Sequence, residues 1–530
     1  MTEIDVRALS GARVLVLGAG VSGPGAVRIL AALGADPVVA DSRPEAIERL
    51  RAALPAGVTC DGVDLDRAAA MLDTTATDPV DLVVTSPGWR PDSPLLLAAA
   101  GAGIPVWGDV ELAWRADEAE LFGPRRTWLA VTGTNGKTTT TAMLEAICLE
   151  AGMAARACGN IGLPVTDVLL AEPRVEVLAA ELSSFQLHWA PSCRPEVGVV
   201  LNIAEDHLDW HGSMEAYAEA KAQVLTGRVA VAGVDDQIAA RLLAAALAPT
   251  RIGVRLDAPA PGELGVVDGV LTARIPRSAV REVAAGSAMS VGAVAGGGVP
   301  SGAVPNGTVA RGEEKPQGDD DETVDPAPIL PAADVRPAGP AGVTDALAAA
   351  AMAMAVGARP EHVAAALRSF EVGAHRAAPV DTIDDVHFVD DSKATNPHAA
   401  RTSLLAGGKR VWIAGGLLKG ADVDPLVAEV ADVLRGVVLI GRDRGQIAAS
   451  LARHAPHVPV VELASGDDGV DAGPDEPQQT MDRAVAEAAR MASGGDTVLL
   501  APAAASMDMF TDYGHRGRSF VLAVGRVAGR

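Results

Sequence analysis

The apolar positions of this chain gather in short, nearly continuous runs, separated by longer stretches with helical spacing. Residues 13–17 (RVLVL), 37–40 (PVVA), 81–85 (DLVVT) and 104–107 (IPVW) are of the first kind; 26–35 (AVRILAALGA) is of the second. Strands that are apolar at every position are buried on both faces. Strands alternating with helices therefore predict a parallel sheet covered on both sides. This first unit closes near Gly123-Pro124, and the pattern then restarts twice. WLAVTGTNGKTTTTAMLEAICLEAG reads strand, loop, helix, and VEVLAAELSS and VGVVLNIAEDH add buried strands that end in polar loops. VHFVDDSKATNP, RVWIAGGLLKGAD, GVVLIGRD and DTVLLAPAAASMDMF repeat the strand-then-loop phrase in the last third. Three α/β domains are expected, at 1–124, 125–374 and 375–530, in keeping with a length of 530 residues. Residues from about 286 to 340 break the pattern. They are rich in Gly, Pro, Ala and Val, carry an acidic knot at Asp319, Asp320, Asp321 and Glu322, and predict a flexible insertion.

In open α/β sheets, ligands gather at the carboxyl ends of strands, and two glycine-rich loops lie there. RVLVLGAGVSGPG carries Gly18, Gly20 and Gly23, with Asp41 ending the next apolar run. Alone, this pattern fits a dinucleotide-binding βαβ unit and hence a nicotinamide dehydrogenase. VTGTNGKTTT at 131–140 points to a different nucleotide. Its Gly133, Gly136, Lys137 and Thr138 fall between a strand and a helix, where backbone N–H groups and the helix N-terminus cradle polyphosphate oxygens. Lys137 can reach the terminal phosphates and the Thr138 hydroxyl can ligate Mg²⁺. A standard P-loop has glycine where this chain has Val131, so the loop is a variant. A dehydrogenase leaves it unexplained, and a non-catalytic P-loop module leaves the polar clusters behind it unexplained.

Those clusters follow apolar strands. Glu181 in ELSSFQL stands where a strand-end carboxylate can hold a phosphate-bridging metal ion. NIAEDHLDWHG gathers Glu205, Asp206, His207, Asp209 and His211, candidates for metal or acid–base work without zinc-site spacing. Lys221 in EAYAEAKAQV reads locally as a solvated helix lysine. Asp391, Ser392, Lys393 and Thr395 in DDSKATN offer an anion pocket beside a carboxylate, or else a helix cap.

Composition narrows the setting. Hydrophobic residues are 49% and charged residues 21%, enough for a large core. A formal net charge of −24 repels phosphate backbones and argues against a nucleic-acid partner. The four cysteines form no C-x-x-C pair, as expected of free thiols in a reducing compartment. The opening MTEIDVRALSG lacks an apolar signal core, and the longest apolar stretch, 346–358, is too short to span a bilayer. A cytoplasmic, soluble protein without membrane insertion is expected.

TGTNGKTT, GNIG (159–162), ELSSFQL, AEDH, AHR (374–376), DDSKATN, GGLLKGAD (415–422) and AAASMD (503–508) occur in that order. The set resembles the Mur ligases of cell-wall precursor synthesis, and the DSKATN loop and GAGVSG start favour the D-glutamate-adding member. The resemblance implies a Rossmann-like N-terminal domain for a UDP-sugar, a central P-loop ATPase-type domain, and a Rossmann-like C-terminal domain for the amino acid. It implies an ATP- and Mg²⁺-dependent ligase, acting as a monomer, that phosphorylates the carboxylate of UDP-N-acetylmuramoyl-L-alanine and lets the D-glutamate amine attack the acyl phosphate. By the same resemblance Gly133, Thr134, Asn135, Gly136, Lys137, Thr138 and Thr139 hold ATP, with Arg376, Asp391 and Lys393 from the third domain. Thr138, Glu181, His207 and a carbamylated Lys221 hold metal, and Lys137, His207 and Lys221 are the catalytic set. Gly18, Gly20, Ser22, Asp41, Ser42, Arg43, Asn160 and His207 meet the UDP-sugar. Thr395, Lys419, Ser506 and Tyr513 meet D-glutamate. The chain departs from the family pattern with GPAG (339–342) for G-x-H-N, which removes an Asn expected near the adenine. It departs again with Asp390 for Asn, APAAAS for S-P-A-x-A-S, and Tyr513 for Phe.

Overall fold

The computed structural model of the chain describes residues 4–275, 325–463 and 476–529. Among these, the strands form three sheets. The first contains β1 (Arg13–Leu17), β2 (Asp36–Ala40), β3 (Asp61–Val63), β4 (Leu82–Thr85) and β5 (Val106–Gly108) in the order β3-β2-β1-β4-β5, all parallel. The order reverses between β1 and β4, which opens a crevice at their carboxyl ends. Gly18 sits at that point with φ +102°, a backbone state few side chains tolerate, and its missing Cβ would lie 2.5 Å from Ser86 Oγ.

The second sheet contains β6 (Thr127–Thr132), β7 (Ala155–Gly159), β8 (Val177–Glu181), β9 (Val197–Val200), β10 (Val229–Gly233), β11 (Thr250–Val254), β12 (Glu263–Val267), β13 (Val270–Arg274) and β14 (Ala327–Pro331). Its order is β14-β13-β12-β11-β10-β9-β6-β8-β7, parallel from β7 through β12 and antiparallel beyond. The Ala-rich run becomes the helix Pro340–Ala355, almost wholly buried against the P-loop helix Lys137–Glu150. Alanine faces allow that close approach.

The expected insertion is corrected at its C-terminal end. Residues 286–324, with the acidic knot, lie outside the described residues. Residues 327–331, by contrast, are strand β14, paired antiparallel with β13 and carrying the buried Ile329 and Leu330. Composition hid a short edge strand whose pairing partner lies some sixty positions earlier.

The third sheet contains β15 (Ala378–Ile383), β16 (Val386–Asp390), β17 (Arg410–Ala414), β18 (Leu434–Leu439), β19 (Val460–Glu462) and β20 (Thr497–Leu500). Its order is β15-β16-β20-β17-β18-β19, parallel except for the antiparallel edge strand β15. The four cysteines are free, and no helix among the described residues is long and apolar enough to cross a membrane.

Candidate active site

The site is organised around the loop after β6. Gly133 (φ +152°) and Gly136 (φ +86°) turn the chain into the helix Lys137–Glu150, with Gly136 as its left-handed N-cap. A Cβ on Gly136 would lie 2.2 Å from Asp345 Oδ1, so the close approach of the helix Pro340–Ala355 demands glycine there. The loop is braced from β9 outward. The Asn135 N–H donates to Asn202 Oδ1 (2.9 Å) and the Thr134 N–H to the Asn202 carbonyl (2.9 Å). The Ala204 N–H donates to Thr134 Oγ1 (2.9 Å), which also lies 3.0 Å from the Tyr217 hydroxyl. Asn202 was not among the sequence candidates; it follows the strand directly before AEDH.

Two lysines meet at one carbonyl. Lys137 Nζ donates to the carbonyls of Gly133 (3.0 Å) and Thr134 (2.8 Å). Lys221 Nζ donates to the same Gly133 carbonyl (2.8 Å) and to Thr132 Oγ1 (3.4 Å), and lies 4.6 Å from the centre of the Tyr217 ring. Lys221 is not the solvated helix residue that local sequence suggests: it is 2% exposed. Burial first, then the neighbouring Lys137 charge, hold the Lys221 amine well below its ordinary range. Burial likewise lowers Lys137.

Glu181 ends β8 beside the loop, 2% exposed, and accepts a hydrogen bond from Asn160 Nδ2 (2.9 Å). His207 has φ +55°, a conformation uncommon outside glycine and concentrated at functional sites. Its Nε2 lies 3.4 Å from Asp206, and its ring packs edge-on at 4.6 Å against Phe185 of ELSSFQL. Burial lowers its pKa; the same cause brings His211, stacked on Phe185, to about 4.

Thr134–Thr139, Asn160, Glu181, Asp206 and His207 line one cavity of about 500 Å³ with Arg376, Asp391, Lys393 and Thr395 of the third domain. The altered GPAG segment forms part of the same wall: Ala341 and Gly342 line it, and a Cβ on Gly342 would lie 1.8 Å from the Pro337 carbonyl. Asp390, the replacement for Asn, is 2.6 Å from His375 Nδ1 and accepts from the Ser392 N–H (2.9 Å), so it pins the AHR loop to the DSKATN loop. Two further links cross between domains, from Asn396 Nδ2 to Asn135 Oδ1 (3.2 Å) and between Asn135 Nδ2 and His398 Nδ1 (2.8 Å).

Asp345 was missed by sequence reading because it sits inside the Ala-rich run. It is buried, lines the cavity, and faces Arg376, Thr140 and Lys137. Burial outweighs those neighbours and raises its pKa to about 7. Its protonated form is thus favoured on folding: stability from this group is complete below the unfolded value of 3.8 and is lost as pH rises through about 7. Asp345→Asn, which cannot ionise, is expected to gain on wild type by up to a few kcal/mol across that window, and by a constant amount above it. Thermal unfolding midpoints of both proteins between pH 5 and 8 check this; a difference independent of pH contradicts it.

The remaining candidates lie elsewhere. Asp41 and Ser42 line a second cavity of about 410 Å³ beside Gly62 and Asp64. Burial pushes the Asp41 carboxyl up, but N–H donors from Ala19 (2.9 Å) and Arg43 (3.0 Å) and the Arg43 guanidinium hold it below its usual range. This ties the first glycine loop to the end of β2. Gly18, Gly20, Ser22 and Arg43 do not line that cavity. A Cβ on Gly20 would meet no protein atom within 4 Å, so packing does not require glycine there. Lys221, Lys419, Ser506 and Tyr513 do not line the 500 Å³ cavity either. Tyr513 reaches it indirectly, with Lys393 Nζ 3.8 Å from its ring centre; burial lowers Lys393 to about 7.

Fold and site together define a three-domain α/β protein whose glycine-rich loop before the helix Lys137–Glu150 opens onto a cleft completed by another domain. That is the layout of an enzyme that couples a nucleotide to chemistry between domains. The chain belongs to the Mur ligase family. The family's middle domain matches residues 131–254, its glutamate ligase domain 375–504, and its MurD-like N-terminal domain 12–108. The UDP-N-acetylmuramoylalanine--D-glutamate ligase of Nocardia farcinica is 51% identical over 523 residues, 97% of each chain. The protein of the same name from Rhodococcus jostii is 51% identical over 536 residues, 98% of this chain and 96% of its own. In fold the chain is similar to the crystal structure of UDP-N-acetylmuramate-alanine ligase MurC from Thermotoga maritima, with TM-score 0.51 and 17% identity, covering 97% of this chain and 100% of that one.

Proposed function

We propose that this chain is the ATP-dependent ligase that joins D-glutamate to UDP-N-acetylmuramoyl-L-alanine in peptidoglycan precursor synthesis. The reading takes it as a cytoplasmic monomer with no nucleic-acid or membrane partner. One observation carries the mechanism: the P-loop head, Glu181, Asp206 and His207 share a single cavity with Arg376, Lys393 and Thr395 of another domain. A carboxylate and an amine do not condense unaided in water. ATP transfers its γ-phosphoryl group to the alanine carboxylate, the amine displaces phosphate from the acyl phosphate, and an amide remains. Catalysis of this kind rests on positioning and charge neutralisation.

In this reading Lys137 and the N–H groups of 133–139 hold the β- and γ-phosphates, and Arg376, Asp391 and Lys393 reach the nucleotide from the third domain. Asn160 and the first glycine loop orient the UDP-sugar, with Asp41, Ser42 and Arg43 at its uracil end. Thr395, Lys419 and Ser506 receive the D-glutamate carboxylates beside Tyr513. Among the described residues no three His, Cys, Asp or Glu side chains are arranged to hold a metal by themselves. A hydroxyl and a buried carboxylate beside a phosphate loop nevertheless fit Mg²⁺, which takes one or two protein oxygens and completes its shell with phosphates and water. Thr138 and Glu181 would hold a first ion, His207 and Lys221, the latter once carbamylated, would serve a second, and the metal would neutralise phosphate charge.

The test is phosphate release from ATP with each substrate omitted in turn. Release is expected only with both UDP-N-acetylmuramoyl-L-alanine and D-glutamate present; equal release without the amino acid rejects the ligase reading.

A further inference from the structure

The cavity that begins at the P-loop continues beneath the helix Pro397–Leu404, away from the phosphate loop, to Arg410 at the start of β17. Arg410 is 8% exposed. Its Nη1 donates to Thr497 Oγ1 (2.5 Å), and among the described residues its Nε has no partner. The nearest acid in sequence to Thr497, Asp496, is taken by Arg435 Nε (3.1 Å) and the Ser493 N–H (2.8 Å). Arg126 Nε is likewise unpartnered among the described residues, but that guanidinium pairs with the Asp117 carboxylate (2.6 Å), and Arg516 donates to the Ser392 and Ala504 carbonyls (2.9 and 3.0 Å). A buried guanidinium with one hydroxyl partner is costly unless an anion meets it.

We infer that Arg410 and Thr497 form a binding site for a small monocarboxylate at the end of this cavity beneath the helix Pro397–Leu404. The surrounding walls, Val389, Leu499, Thr402 and Ala406, are mainly apolar. One cation and two hydroxyls match a singly charged, planar group with a short apolar body, which a guanidinium grips through two parallel hydrogen bonds. Inorganic phosphate, bulkier and more highly charged on average at neutral pH, lacks sufficient donors here. The site shares its cavity with Thr395, but neither Arg410 nor Thr497 belongs to the Thr395, Lys419 and Ser506 set. It is joined to the nucleotide end of the cavity by Ser403, which donates to Asp391.

The test uses the full-length protein with potassium propionate, and potassium chloride or phosphate at equal ionic strength. Propionate is expected to raise the unfolding midpoint saturably, by on the order of 2 °C at tenfold excess over its Kd. It is also expected to show protein-bound relaxation in ligand-observed NMR, which Arg410→Met abolishes. Retained amine-dependent phosphate release shows that the variant is folded. Equal propionate relaxation with Arg410→Met, or equal stabilisation of wild type by chloride, overturns the proposal.

Discussion

Lys137→Ala is expected to lower amine-dependent phosphate release by roughly 10²–10³-fold or more, the range for losing a preorganised donor to transition-state charge. Among the described residues this amine bonds to the carbonyls of its own loop, Gly133 and Thr134. Its loss therefore removes no contact between elements, and the fold should hold. The loop keeps its shape through Asn202, Ala204 and the Gly136 cap. Two measurements separate chemistry from folding: the unfolding midpoint, expected to be little changed, and calorimetric binding of the UDP-sugar, expected to persist because the proposed site for it, at the first glycine loop, lies on another sheet. Turnover within tenfold of wild type would remove Lys137 from the mechanism.

That prediction rests on a loop legible in the sequence, for a physical reason. A buried strand, two glycines and a helix start are local features, and each leaves a local trace. The same holds for β1 with Gly18 and for the apolar runs of all three sheets. What depended on distant partners left no such trace. Strand β14 was hidden in biased composition because β13, its partner, stands across residues 276–324. Asp345 was hidden because a single acid in an alanine run reads as a solvated turn of helix; only the close packing at Gly136 turns it into the cavity. Arg410 reads as an ordinary strand-start cation, and nothing nearby in sequence says that no acid among the described residues meets it. The Asp390 replacement was visible as a departure, but its effect needed His375, fifteen positions earlier, at 2.6 Å.

The domain links follow the same rule. Asn135 belongs to the phosphate loop by motif, yet its side chain is engaged by Asn396 and His398 of the third domain. The loop that would hold ATP is thus in direct contact with the helix that carries Ser403 and lies beside Thr395. Nucleotide contacts and amino-acid contacts can therefore move together, which is the mechanical requirement for a reaction between ligands held on separate domains.

The same physics governs Lys221, where the second large effect is expected. Two ammonium groups sharing the Gly133 carbonyl would repel each other in a water-poor pocket, and Lys137 is the one proposed to meet phosphate. Burial, and then the Lys137 charge, hold the Lys221 amine well below its ordinary range, which favours its neutral form. A neutral amine is the form that adds to CO₂: nitrogen attacks the carbon, one proton is released, and an N-carboxylate results. This would turn a repelled cation into an oxygen donor facing Lys137. Lys221→Ala is therefore expected to lose roughly 10²-fold or more of kcat, on the scale of losing one preorganised electrostatic group. Acetate or formate should restore part of it. The rescue should survive in the Arg410→Met background, which separates it from the carboxylate site under the helix Pro397–Leu404. Wild-type protein in ¹³C-bicarbonate should show a carbamate carbon resonance that the Lys221→Ala variant lacks. If that variant keeps its activity, or if its spectrum still carries the resonance, Lys221 is only a buried amine that bonds the phosphate loop in place.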